Sequence, residues 1–242
     1  MGNDRGIVGQ LILAAGIALA GYFVAHGFAG ARLADRFVTV KGTSERDVEA
    51  DVAIWPLRVV ASDNDLSRAH AQIEADMAQI YAFLARHEID ASQAQVSGFS
   101  VSDAQANQYR SGPGGNRFVI NQTLVVRSAE PAKVLAASAK VGELVASGVV
   151  LSSGDEYGSG GPTFIFTRLN DLKPAMIAEA TARAREAAEQ FARDSGSRIG
   201  GIRRANQGIF EILPRDRAQG ITEAGQLAKS VRVVSTVDYN LE

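Results

Sequence analysis

The feature that most constrains this chain lies at its start. From Gly6 to Ala31 it reads GIVGQLILAAGIALAGYFVAHGFAGA, with no charged side chain when His26 is neutral. Drawn as one helix, that run would be roughly 39 Å long at ~1.5 Å per residue. A bilayer hydrocarbon core is about 30 Å thick, so the segment is long enough to span with some tilt. The alternative is a removable signal peptide, because ALA at 18–20 and AGA at 29–31 both resemble cleavage sites. Against it, Arg5 stands beside Asp4 in a weak leading region, and the apolar run continues past the first site. The expected organisation is a short tail at 1–5, a transmembrane signal anchor at 6–31, a connector at 32–36 and an α+β domain at 37–242. Arg5 precedes the span while Arg32 and Arg36 follow it, and a five-residue tail makes charge a weak guide to orientation.

Small residues recur four apart inside the span: Ala14 with Ala18, Gly16 with Ala20, and Gly21 with Ala25. Such pairs let helix backbones approach closely in lipid, although Gly and Ala are also simply common in membrane helices.

The remaining sequence is that of a folded protein. The chain as a whole is 46% hydrophobic and 21% charged, with a formal net charge of −2. No basic surplus points to nucleic acid. The absence of cysteine excludes disulfides, thiolate metal sites and thiol nucleophiles.

Periodicity gives the element order. Phe37–Lys41 reads as a strand, Gly42–Ser44 as a turn, and Val48–Val60 as a second strand with Ala53, Trp55, Leu57 and Val59 on one face. Pro56 inside it suggests an edge or a bulge, because proline has no ladder donor. Asp63, Asn64 and Asp65 supply cap chemistry for a helix striped by Leu66, Ala69, Ile73, Met77, Ile80 and Leu84. Strands follow at 96–101 and 118–127, separated by a polar loop that contains SGPGGNR. Pro131 opens a second helix running to Ser147, and Gly148 ends it. A Gly- and Ser-rich loop leads to a strand at 163–168. A third helix, capped by Asn170 or Asp171 with Pro174 in its first turn, is rich in alanine. Its small side chains predict close approach to a sheet or another helix. Residues 199–213 read as extended and 214–229 as a polar loop. The last strand alternates Val231, Val233, Val237, Tyr239 and Leu241 with polar residues. The order β-β-α-β-β-α-β-α-β-β favours an α+β fold with mixed or antiparallel sheets over a doubly wound one.

Chemistry is sparse. His70 and His87 are too far apart on one helix for a shared metal pair, and no nucleophile elbow or phosphate loop occurs. In DRFVTVKGTSERDVEAD, at 35–51, the Gly-Thr-Ser lacks the lysine and helix of a phosphate loop. Glu45, Asp47, Glu49 and Asp51 would share one face of an extended segment. They form a candidate cation or subunit-interface face, with a solvated strand face as the simpler reading. No catalytic residue and no cofactor are expected.

Taken in order, several stretches resemble the SIMPL-domain family of bacterial envelope proteins. They are VTVKG, EADVAIWPLRV, IEADMAQIYAFL, QVSGFSV, FVINQTLVV, VGELVASGV, FIFTRLNDLKPAMIAEATARAREAAEQFARDSGSRIGGI and SVRVVSTVDYNL. The family includes periplasmic immunogenic, channel-forming-type proteins and oxidative-stress defence proteins. The resemblance implies export, a periplasmic α+β domain and assembly of some members into large hollow homo-oligomers. It implies no catalytic residues.

The combined expectation is a non-enzymatic protein of the bacterial inner membrane with its C-terminal domain in the periplasm. Its partners would be copies of itself, the bilayer through residues 6–31, and other envelope proteins, but not nucleic acid. The alternatives are an envelope-stress binding module or holdase and a cation-dependent enzyme using the acidic face.

Overall fold

The computed structural model describes residue 9 and residues 13–24, 36–106, 115–152 and 160–242. Of the expected span at 6–31, residues 13–24 form helix α1. These twelve positions would extend about 18 Å, well short of a bilayer core. Among the described residues no helix is long and apolar enough to cross a membrane. The expected spanning helix is therefore not supported over its proposed length, and apart from Gly9, which is helical, the rest of it lies outside the described residues. The tip of the loop between the strands expected at 96–101 and 118–127 lies outside them too, as does most of the Gly- and Ser-rich loop.

The fold is α+β, as the element order predicts. After α1 come β1 (Phe37–Glu49), β2 (Val52–Asp63), α2 (Leu66–Arg86), β3 (Ala94–Asp103) and β4 (Phe118–Ser128). Then follow α3 (Pro131–Ser138), α4 (Gly142–Ala146), β5 (Thr163–Ile165), α5 (Leu169–Asp194), β6 (Ile199–Gln207), β7 (Glu211–Pro214) and β8 (Ala228–Leu241). The described strands form two four-stranded sheets, one ordered β3-β4-β2-β5 and one ordered β1-β8-β6 with β7 also on β8. The chain divides into two compact units. The first takes the residues up to Ser44 with Lys173–Phe210 and Val233–Glu242; the second takes Glu45–Leu172 and Glu211–Arg232.

In the first unit α5 lies on strand β1, and a glycine sets how closely. A Cβ on Gly42 would sit 1.8 Å from the Ala180 carbonyl oxygen and 2.5 Å from the Ala184 nitrogen. Those are backbone atoms and cannot swing aside. Ala180, Ala184 and Ala188 are fully buried, beside Val38, Val40, Val237 and Tyr239. The contact is polar as well. Ser44, fully buried, donates its hydroxyl to Glu179 at 2.8 Å, and Arg183 donates to the Thr43 carbonyl at 3.1 Å. Gly42–Ser44 is thus not the expected turn. Strand β1 runs straight through it, and the turn falls at Ala50–Asp51, between β1 and β2.

The second unit stacks α2 on its sheet. Asp65 caps the helix, accepting from the backbone N–H groups of Ser67 and Arg68 at 2.8 and 3.2 Å. Ile73, Ile80, Phe83 and Leu84 bury against Trp55, Leu57, Val59, Ile120 and Leu124. The Trp55 and Phe83 rings meet edge to face at 6.4 Å. Pro56 lies where its missing donor is harmless. Val60 N–H donates to Val150 and Arg58 C=O accepts from Ser152, so the even-numbered positions of β2 hydrogen-bond away from β4. On that side β5 pairs only as far as Ile54.

Three boundaries move. The second expected helix breaks into α3 and α4, with i→i+3 bonds from Lys140 to Ala137 and from Val141 to Ser138 at the break. Helix α5 begins at Leu169, which puts Pro174 inside it rather than in its first turn. The expected loop 214–229 is stitched into the second unit. Lys229 belongs to β8, is fully buried, and donates to the Glu223 carbonyl at 2.6 Å and to the Glu223 carboxylate. The Ala224 carbonyl accepts from Phe164 at 2.8 Å, and that of Leu227 from Ala50 at 2.9 Å.

The Gly42 contact makes a graded prediction. Overpacking against backbone makes Gly42→Ala cost about 3 kcal/mol or more. Ser44→Ala removes one buried hydrogen bond and costs roughly 1–2 kcal/mol. Urea unfolding of both variants gives the order, and equal stabilities would contradict the packing described.

Candidate functional site

The acidic stretch is split by the hairpin. Glu45, Asp47 and Glu49 lie exposed along β1. Glu45 accepts the Ser230 hydroxyl at 2.9 Å. Asp51 leaves that face and becomes a clasp inside the second unit. It accepts the Thr167 N–H at 2.9 Å, the Thr167 hydroxyl at 2.9 Å and Arg168 Nε at 3.2 Å. Burial alone would raise its pKa, but the hydrogen bonds from Thr167 and Arg168 outweigh burial and hold it below the ordinary aspartate value of 3.8. The four carboxylates are therefore not brought together. Among the described residues no group of three or more His, Asp or Glu is gathered to hold a metal ion. A pocket of about 280 Å³ does lie beside Glu49, lined also by Val48, Phe166, Arg168, Asp171 and Leu172.

The small residues of the expected span are placed in part. Ala14, Gly16, Ala18, Ala20 and Gly21 lie on α1, exposed, and a Cβ on Gly16 or Gly21 would meet nothing within 4 Å. Ala25 lies outside the described residues, as does His26. His70 faces Glu74 at 3.8 Å on the surface of α2, and His87 caps that helix with its ring 4.6 Å from Phe83.

Exposure marks a different feature. Strand β3 is the outer strand of its sheet, and nearly every residue on it is exposed. Val96, Phe99 and Val101 are 46%, 54% and 45% exposed. The register shifts between Val96 and Gly98, so these three stand opposite Leu124, Gln122 and Ile120 on one face of the sheet. Leu124 and Ile120 are buried on the side covered by α2. Helix α2 does not reach far enough to cover β3. The uncovered strip is a groove of about 470 Å³ lined by Leu66, Ser67, His70, Phe99, Val101 and Ile120. Between Gln95 and Ser102 the strand carries no charge and no proline. Its only edge device is the bulge at Ser97. Natural edge strands usually carry lysine, proline or a cover that blocks pairing with another chain. Periodicity located this strand but could not show which position in the sheet it occupies.

The chain is thus a two-unit α+β protein whose β3 edge is unguarded among the described residues. The family model for SIMPL, described as a protein of unknown function (DUF541), matches residues 38–237, and the chain belongs to that family. No curated protein matches it.

The Asp51 clasp predicts a pH signature. Its folded pKa is depressed, so its stabilisation is present above the unfolded value and is lost as pH falls through the folded one. Asp51→Ala strands the Thr167 donors and costs about 1–3 kcal/mol at neutral pH. The gap from the parent narrows at pH below 3.8, which thermal melts across pH test.

Proposed function

We propose that this is a non-enzymatic, membrane-anchored protein of the bacterial envelope whose SIMPL domain assembles with copies of itself into a ring or cage. The role is structural, scaffold-like or channel-like. The observation that carries the reading is β3, an edge strand uncharged from Gln95 to Ser102, whose apolar face is left open among the described residues. Such a strand is a template for a strand from another chain. Head-to-tail addition, in which β3 of one copy meets a different edge of the next, closes a ring when the rotation permits.

The anchor is supported by α1. Leu13, Ile17, Leu19, Tyr22, Phe23 and Val24 are each more than half exposed, and Ala14, Ala18 and Gly21 occupy the one side of the helix they leave, so no face of α1 is polar. A helix apolar on every side needs a cover, and lipid supplies one. Residues 6–31 would then form the span, and Gly16, Ala20 and their neighbours could bring anchors of neighbouring copies together. The periplasmic placement of the domain follows the resemblance of its sequence to bacterial envelope proteins.

The groove beside β3 favours a second reading, a binding module that takes an extended apolar segment of another envelope protein. Crosslinking in cells separates the two: recovery of the chain with itself supports assembly, and recovery of separable partners supports the module.

Self-assembly is read from the particle mass of the full chain in mild detergent. A multiple of the chain mass is expected, and a strict monomer overturns the proposal. Phe99→Lys puts a charge at the centre of the edge and should weaken association about 30-fold, the effect of losing one interface hot spot.

A further inference from the structure

We propose that the end of the first unit where β1 begins is a docking surface for anionic phospholipid headgroups. This inference rests on the anchored reading, because the anchor brings this end of the domain to the bilayer. Only residues 32–36 separate the proposed span from Phe37. Fully extended, such a connector reaches at most about 18 Å. The start of β1 therefore stays close to the headgroups whatever path the connector takes.

What the structure places there has the matching chemistry. Phe37 is exposed, and the Arg203 guanidinium lies 4.5 Å from its ring centroid. An aromatic ring with a cation on its face suits the headgroup layer, where one side meets acyl chains and the other meets phosphates. Arg36, next in the chain, donates to the Ser197 hydroxyl at 3.4 Å. Backbone bonds hold the ends together: Leu241 N–H to the Arg36 carbonyl and Arg198 N–H to the Glu242 carbonyl, both at 2.9 Å. Ser197 and Arg198 line a shallow depression of about 290 Å³, with Arg193 and Ile199 beside them. Glu189 is the acidic residue on its wall, and it is engaged by Arg185 at 3.2 Å. The depression has the size of a headgroup, and its remaining charged side chains are cations. Nearby, Arg204 is paired with the buried Asp238, so it does not add to the count. Each lysine or arginine held near an anionic surface increases membrane contact about fivefold.

The chain has no cysteine, so a single reporter can be installed. Gly201, on β6, is exposed, and an added Cβ there meets nothing within 4 Å. The full chain carrying Gly201→Cys, labelled with a fluorophore, is reconstituted into two kinds of vesicle. One is phosphatidylcholine alone, and the other an equal mixture of phosphatidylcholine and phosphatidylglycerol; both carry a headgroup quencher. Docking predicts stronger quenching in the phosphatidylglycerol vesicles, reversed by high salt. Arg198→Gln and Arg203→Gln should each lower the docked-to-undocked ratio about fivefold, while Arg203→Lys retains it. Equal quenching in both vesicles, with the chain still resisting a carbonate wash, overturns docking and leaves the anchor standing. A chain that washes off in carbonate but keeps its phosphatidylglycerol-dependent quenching supports docking without an anchor. Loss of both behaviours overturns both.

Discussion

The first unit depends on one missing side chain. Because Gly42 has no Cβ, the backbone of α5 can lie almost against the backbone of β1. Alanines at 180, 184 and 188 extend that close approach along the helix. Ser44 and Thr43, either side of the register this sets, then meet Glu179 and Arg183. The Gly-Thr-Ser that can be mistaken for a phosphate loop is a seat for a helix. Its serine is buried because the helix lies on it, and its glycine is needed for space rather than for an unusual backbone angle.

Much of this architecture could be read from the residues. The alternation of Ala53, Trp55, Leu57 and Val59, the cap at Asp65 and the alanines of α5 each name their own neighbourhood. What escaped the reading was set by distant partners. Nothing local distinguishes the glycine of a turn from one under a helix packed on it from more than a hundred residues away. Asp76 sits on the stripe of α2 as an interruption. It is buried, with Gln72 donating to it at 2.7 Å, and burial raises its pKa above that of an ordinary aspartate. Lys229 looks like the end of a polar loop until its ammonium is placed inside the second unit. Asp51 looks like the fourth member of an acidic row until the hairpin turns it toward Thr167. The acidic face was legible as a pattern, but its dispersal required the turn to be located at Ala50–Asp51.

The proposed working surfaces differ in how they could be found. The β3 edge follows from sheet order, which no periodicity reveals: a buried strand and an edge strand can share the same alternation. The basic, aromatic end of the first unit follows from the meeting of Arg36, Phe37, Arg198 and Arg203, which the sequence scatters from one end of the domain to the other. Both surfaces are exposed, whereas Trp55, Phe83 and Phe164 are fully covered.

The two units are interleaved along the chain. Each needs part of β1 and part of β8, the first and last strands of the domain. Neither unit can be completed from a contiguous stretch of sequence. During synthesis, Val38 and Val40 must wait for Val237 and Tyr239, and Glu45 for Ser230, across nearly the whole polypeptide. Such long loops close slowly. A chain of this design stays unfinished until its last strand is made, and under the proposed envelope placement that delay would keep it unfolded while it is exported.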